Sequence, residues 1–184
     1  LEPTGPATLA VDVARFGADS TVVYRRQGNV CRLVWRTQGR DTQQVAGKLQ
    51  ALAEDDPDVD TIVVDDTGLG GGVTDRLREE LSGSRVQIVA FNGGAKAQRS
   101  DRYVNAIAEA WMELGQVFRD GQIDLDDNQA VVAQLSSRRY TLQGDRRIKL
   151  ESKEDYKKRS TGGSPDDADA LAMCYVPTPG RGLW

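Results

Sequence analysis

The sequence of 184 residues contains no histidine. This absence excludes Ser-His-Asp and Cys-His catalysis, histidine-ligated zinc sites and histidine general bases. Any catalysis would therefore depend on carboxylates, lysines, hydroxyls or a metal ion held by oxygen atoms. Oxygen ligands favour Mg²⁺ or Mn²⁺.

Cysteine and long apolar runs are also scarce. Cys31 and Cys174 lie far apart and form no CxxC pair, so a cysteine-rich metal site is excluded and two reduced, buried thiols are expected. No stretch approaches the ~20 apolar residues that a membrane span needs, and no charged-then-apolar leader opens the chain. We therefore expect a soluble protein with no membrane partner. Because Leu1 takes the place of an initiating Met, we also expect a fragment of a longer chain.

The charge of the chain is unevenly distributed. With 39% hydrophobic and 28% charged residues the composition is that of a folded domain, and its net charge is −4. The interval 138–159 nevertheless carries nine basic and four acidic residues, which indicates a local surface for a polyanion. A solvated hairpin and helix face would have the same composition. The predicted DNA-binding residues are Arg138, Arg139, Arg147, Lys149, Lys153, Lys157 and Lys158.

The order of apolar patterns predicts an α/β fold. Three antiparallel strands come first, two buried strands then alternate with helices, and a hairpin precedes the last helix. That helix is expected to begin with Ser164 as its N-cap and Pro165 in its first position. We expect a linker at 1–6, one domain at 7–176 and a loose tail at 177–184. The predicted segments are strands at 7–14, 21–26, 30–36, 61–64 and 86–90, helices at 41–56, 73–81, 98–118 and 128–137, and a hairpin near 139–150.

Aspartates occur where apolar segments would bury them. Asp12 lies inside the first strand, and Asp65 ends a buried strand, which is where open α/β sheets place their sites. Asp166 and Asp169 are three residues apart and so share one face of the last helix. Each has a structural explanation when taken alone, as a hydrogen-bonded strand residue, a turn residue or a first-turn acid. If the fold brings them together, they would repel one another and require a divalent metal ion.

A glycine-rich loop, DTGLGGG, follows the buried strand. Its backbone amides could hold a phosphate. It has neither the GK[ST] ending of a Walker loop nor GxGxxG spacing. The other interpretation is a close-packing loop, which lets a metal ion or a DNA phosphate approach.

Four blocks together resemble the nuclease domain of the large terminase subunit of tailed bacteriophages. The resemblance covers about residues 8–175, and the order and spacing of the blocks make it specific. The last block also resembles the DxxDAL ending of Holliday-junction resolvases. The four blocks are AVDVARFGADSTVV, VVDDTGLGGGVTDRL, RYVNAIAEAW and LESKEDYKKRSTGGSPDDADALAM.

This resemblance implies a ribonuclease H-like fold: a central mixed five-stranded sheet, its first three strands antiparallel, flanked by helices, with an extra β-hairpin near 139–150. It also implies acids from separate elements that bind two divalent ions. Carried over by motif, the catalytic residues are Asp12, Asp65 and Asp166, Asp169 is a further metal ligand, Asp66 and Asp167 are second choices, and Asp19 has a supporting role.

The implied function is a metal-dependent DNA endonuclease of viral genome packaging. It would cut concatemeric double-stranded DNA by two-metal hydrolysis with Mg²⁺ or Mn²⁺. The implied partners are double-stranded DNA, an N-terminal packaging ATPase domain, the portal protein and the small terminase subunit, in the host bacterial cytoplasm. No Walker motif is present in these 184 residues, so motor activity is not expected of them.

Two other functions fit parts of the sequence. An actin- or sugar-kinase-like nucleotide-binding domain shares the core topology, although such proteins usually have two such domains. A non-catalytic DNA-binding or docking domain with a degenerate site is the other alternative.

Overall fold

The computed structural model describes residues 2–14, 19–68, 70–161 and 163–177. Strands β1 (Ala7–Asp12), β2 (Thr21–Gln27) and β3 (Val30–Thr37) pair antiparallel. Strand β4 (Val59–Asp65) is parallel to β1, and β5 (Gln87–Phe91) is parallel to β4. The predicted mixed five-stranded sheet is confirmed, with the spatial order β5-β4-β1-β2-β3.

A sixth strand, β6 (Asp124–Leu125), extends the sheet beyond β3. This strand was not predicted from the sequence. Two residues are too few to show the alternation by which a strand is recognised.

Helices cover both faces of the sheet, as apolar runs in β1 and β4 predict. On one face, Leu9 and Val11 of β1 share a core with helices α1 (Thr42–Asp55) and α2 (Gly70–Glu80). On the other, Ala10 shares a core with three more helices. These are α3 (Ala106–Arg119), α4 (Gln129–Ser137) and the last helix, α6 (Asp166–Met173).

The predicted hairpin is present as β7 (Tyr140–Leu142) and β8 (Ile148–Leu150). A short helix, α5 (Lys153–Arg159), follows it and was not predicted. Its one buried side chain is that of Tyr156. A helix with so little buried surface leaves almost no periodic pattern in the sequence.

The predicted start of α3 at position 98 is wrong, because the helix begins at Ala106. The Asn105 side chain accepts a hydrogen bond from the backbone N–H of Ala108 and so caps the helix. The preceding loop is held by the buried Glu109 carboxylate, which accepts from the backbone N–H of Gln98 at 2.7 Å. Its residues therefore belong to a loop that the helix anchors.

The start of α6 also differs from the prediction. Pro165 occupies the N-cap position, and no side chain caps the helix. Ser164 is therefore not the N-cap. Residues 2–6 form neither helix nor strand, and 178–184 of the predicted tail lie outside the described residues. In the described ranges, no helix has the length and apolar character needed to cross a membrane.

Candidate active site

Two of the predicted acids meet at the carboxyl edge of the sheet. β1 and β4 are parallel neighbours in which Val11 lies opposite Val64, so Asp12 and Asp65 follow as the next residues on each strand. Side chains alternate along a strand, which places Asp12 on the same face as Ala10 and Asp65 on the same face as Val63. That face packs against α6.

Helix α6 brings the other two acids to the same place. Asp166 and Asp169 line one cavity of about 480 Å³ together with Asp12, Asp65 and Asp19. The exposed fractions are 4% for Asp12, 7% for Asp166 and 1% for Asp169. The structure thus brings the four predicted acids together in one cleft, most of them deeply buried.

A single lysine lies among these carboxylates. The Lys153 ammonium, on α5, is 2.7 Å from Asp12 Oδ2, 3.2 Å from Asp169 Oδ2 and 4.0 Å from Asp166 Oδ1. The Lys153 ammonium therefore serves three carboxylates, and the Arg138 guanidinium is a second cation, paired with Asp169 at 2.5 Å.

The crowding shifts the acidity of these groups. Burial raises the pKa of Asp12 to about 8, with Asp169, Asp166 and Asp65 adding to the rise and Lys153 opposing it. Burial also raises the pKa of Asp166. Burial acts in the same direction on Asp169, yet Lys153, Arg138 and Trp111 outweigh it and lower the pKa of that carboxyl. Burial disfavours the charge of Lys153, but its acidic neighbours raise its pKa overall.

The residues of the cleft fit a divalent cation. Their carboxylate oxygens are the ligands that Mg²⁺ and Mn²⁺ prefer, and the four acids outnumber Lys153 and Arg138, the cations paired with them. Among the described residues, no three acids yet stand close enough together to hold an ion. The Lys153 ammonium lies where these acids converge.

The glycine-rich loop acts by close packing. A Cβ on Gly70 would lie 1.6 Å from the carbonyl oxygen of Asp65, so a side chain at this position is excluded. The first turn of α2 therefore rests directly on the backbone that carries Asp65. Asp66 lies outside the cleft and accepts a hydrogen bond from the Thr74 hydroxyl at 3.0 Å.

Asp167 points away from the cleft. Its Oδ1 pairs with the Arg36 guanidinium, and its Oδ2 accepts from Gln134 Nε2 at 2.9 Å. Of the two adjacent acids at the start of α6, Asp166 therefore faces the other carboxylates and Asp167 does not.

The predicted DNA-binding residues divide into two groups. Arg138 lies inside the protein, with a side chain only 3% exposed, and Lys153 lies among the acids. The other group has more exposed surface. Lys149 and Lys157 line the mouth of the cleft, Lys157 pairs with Asp19, Arg147 pairs with Asp145, Lys158 pairs with Asp155, and Arg139 is exposed.

Trp111 contacts one of the acids of the cleft and was not among the predicted site residues. It lies in the block RYVNAIAEAW, and its indole Nε1–H donates to Asp169 Oδ1 at 2.7 Å. Periodicity shows that a tryptophan is buried. It cannot show which partner the indole N–H finds.

The sheet order, the helices on both faces and the acids at the carboxyl edge define a ribonuclease H-like fold with an acidic cleft. Solved structures share this fold. The nuclease domain of the large terminase subunit gp2 of bacterial virus Sf6, solved as a K428A mutant with manganese and β-thujaplicinol, has 20% identity and a TM-score of 0.84, and the match covers 96% of this chain and 91% of that chain.

Two other terminase nucleases match over a similar range. The large terminase nuclease of thermophilic phage G20c, solved with bound magnesium, has 18% identity and a TM-score of 0.65, covering 95% of this chain and 82% of that chain. The nuclease domain of Thermus phage P74-26 large terminase has 17% identity and a TM-score of 0.63, covering 97% and 83%. No protein-family model and no curated protein matches the chain. The fold is that of large terminase nuclease domains, as the sequence resemblance implied.

Proposed function

We propose that this chain is a metal-dependent endonuclease domain that cuts concatemeric double-stranded DNA during viral genome packaging. The observation that carries the proposal is the convergence of Asp12, Asp65, Asp166 and Asp169 in one cleft. Structures with this fold include terminase nucleases solved with manganese and with magnesium. We place the nuclease domain at residues 7–176.

The four carboxylates would hold two Mg²⁺ or Mn²⁺ ions. Such ions lower the pKa of bound water, which supplies the nucleophile, and stabilise the leaving oxygen of a phosphodiester. No histidine base is then needed, which agrees with the composition of the chain. Asp169 has one oxygen bonded within the protein and its other oxygen toward the cleft. The adjoining strands β1 and β4 fix the backbones of Asp12 and Asp65 relative to each other.

The basic residues beside the cleft would hold the DNA backbone. Lys149 and Lys157 line its mouth, and Arg139 and Lys158 are exposed on the same hairpin and helix. Contacts of ammonium and guanidinium groups with phosphates position a duplex without reading its sequence, and they weaken with salt. We propose double-stranded DNA as the substrate. A packaging ATPase domain, the portal protein and the small terminase subunit are the proposed partners in the host bacterial cytoplasm.

Replacing Asp12 tests the proposal. Asp12→Asn keeps the shape of the side chain and removes the charge, so plasmid cleavage with Mn²⁺ should fall by about 10²–10³-fold. The folded state should persist, because Asp12 is a charge that burial disfavours. Circular dichroism checks the fold, and agarose gels measure cleavage.

Asp75→Asn is the matched control, since the Asp75 side chain on α2 is 84% exposed and outside the cleft. It should cut like the wild type, and a chelator should abolish cleavage by both proteins. Cleavage by Asp12→Asn at the wild-type rate, or cleavage that survives the chelator, would refute the proposed site.

A further inference from the structure

The carboxylate of Asp169 is held in one orientation by two donors. Its Oδ1 accepts from Trp111 Nε1–H at 2.7 Å and from Arg138 Nη1 at 2.5 Å. Its Oδ2 has no hydrogen bond of ordinary geometry and faces the Lys153 ammonium at 3.2 Å. One oxygen is therefore committed to the protein interior, and the other is directed into the cleft.

The two donors, Trp111 and Arg138, are in contact with each other. The Arg138 guanidinium lies over the Trp111 ring, 4.7 Å from its centroid, and its Nε and Nη2 donate to the backbone carbonyl of Glu151 at 3.1 and 3.0 Å. Three segments of the chain, namely α3, the end of α4 and the residue after β8, thus converge behind one carboxylate of α6. Little freedom remains for rotation of the Asp169 side chain.

We propose that Trp111 is a positioning residue for cation binding: its indole N–H holds Asp169 Oδ1 so that Oδ2 remains available to a divalent ion. This inference rests on the proposed function, in which Asp169 is a metal ligand. Groups that hydrogen-bond a ligating side chain fix its direction, and their loss typically costs about 10–100-fold in metal affinity.

The indole N–H is separable from the packing of the ring. Trp111 is 6% exposed and belongs to the core between the sheet and α3. A phenyl ring at this position fills most of the same space and retains a surface for Arg138. Trp111→Phe therefore removes the hydrogen bond to Asp169 while leaving most of the apolar contacts in place.

Calorimetric titration with Mn²⁺ alone provides the test, because it needs no DNA and no turnover. Trp111→Phe should bind Mn²⁺ about 10–100-fold more weakly than the wild type. The matched control is Trp35→Phe on β3, where the same change falls in the core on the other face of the sheet. That control should bind Mn²⁺ like the wild type, and equal affinity of Trp111→Phe and the wild type overturns the inference.

A second measurement covers the case in which Trp111→Phe does not fold. The chain has three tryptophans, so Trp35→Phe/Trp184→Phe leaves Trp111 as the one indole. Its emission should change on titration with Mg²⁺, because a cation at Asp169 alters the charge beside the indole. Unchanged emission at Mg²⁺ concentrations that calorimetry shows to be saturating overturns the inference. If the wild type binds neither ion, the proposed function itself fails. If it binds ion and Trp111→Phe binds equally, only the role of Trp111 fails.

Discussion

Two aspartates on α6 are equally buried but differ in the partners of their carboxylate oxygens. Asp167 and Asp169 are each 1% exposed. Arg36 and Gln134 bond to the two oxygens of Asp167. Asp169 has one oxygen fixed by donors, and its other oxygen shares Lys153 with Asp12.

The difference lies in the balance of charge. Around Asp167 one acid meets one guanidinium and one amide, so its surroundings satisfy it. On the Asp169 side, Asp12, Asp166 and Asp169 lie within 4.0 Å of the Lys153 ammonium, and Arg138 adds a second cation through its pair with Asp169, so three acids share two cations. Buried charges need compensation, so this excess makes the cleft a place for a further cation. Burial alone does not distinguish the two sides of the helix, whereas the count of opposite charges does.

Asparagine substitutions on the two sides should separate these roles. Asp169→Asn should lower Mn²⁺-dependent plasmid cleavage by about 10²–10³-fold, because it removes a charge directed at the proposed ions. Asp167→Asn should leave cleavage at saturating Mn²⁺ within a few-fold of the wild type. Its expected cost is about 1–3 kcal/mol of stability, since a charged hydrogen bond to Arg36 is lost.

Cleavage gels and urea unfolding measure the two effects on the same preparations. The comparison breaks down if Asp167→Asn abolishes cleavage without loss of stability. It also breaks down if Asp169→Asn changes only stability.

The positions of the acids on the sheet were predictable from the sequence. Asp12 follows the period-two alternation of an apolar strand, and Asp65 ends a buried parallel strand. Local pattern and general sheet geometry are sufficient to place both side chains at one edge. The spacing of Asp166 and Asp169 likewise places them on one helix face.

The choice between Asp166 and Asp167 was not predictable in the same way. Adjacent helical residues point in directions about 100° apart. Which of them faces the sheet edge depends on how α6 docks, and every residue of that helix is buried. A helix that is buried all round has no exposed face to show its orientation.

The basic interval 138–159 was the least reliable guide to the roles of its residues. Lys153 and Arg138 belong to the same basic interval as the exposed Arg139, yet they contact Asp12 and Asp169 inside the protein. Both contacts join residues that are far apart in sequence, and charge composition does not reveal long-range pairs. The hydrogen bond from the Trp111 indole to Asp169 was not predicted for the same reason.

The acidity of Asp12 should make ion binding depend on pH. Its pKa of about 8 means that below pH 8 a proton occupies the carboxyl that the ion would use. Mn²⁺ affinity should therefore rise with pH between 6 and 8, by at most about tenfold per unit, and level off above pH 8. Calorimetry at several pH values measures this slope.

Asp12→Asn supplies the control for the pH effect, because it removes the titrating group. Its residual Mn²⁺ affinity should change much less with pH.

The stability of the ion-free protein has the opposite trend. The folded pKa of Asp12 lies above its ordinary 3.8, so the contribution of Asp12 to stability is present below pH 4 and is lost as pH rises toward 8. A wild-type affinity for Mn²⁺ that is constant between pH 6 and 8 would contradict the assignment of Asp12.

Removing the Lys153 ammonium should change Mn²⁺ affinity the least of these substitutions, and the direction of the change is the informative result. Lys153 occupies the place where the carboxylates converge, so Lys153→Ala removes a competitor and should tighten Mn²⁺ binding. The side chain is 33% exposed, and partly exposed ion pairs contribute about 1 kcal/mol, which corresponds to about fivefold in affinity. The ion-free variant should melt at a lower temperature, because the buried carboxylates lose the ammonium that they share, while Arg138 still pairs with Asp169. Mn²⁺ should then raise its melting temperature by more than it raises that of the wild type.

Lys157→Ala is the control, since this lysine pairs with Asp19 at the mouth of the cleft and should leave Mn²⁺ affinity unchanged. Weaker Mn²⁺ binding by Lys153→Ala would mean that the ammonium supports the ion site, and the contrast between the two sides of α6 would need another physical basis.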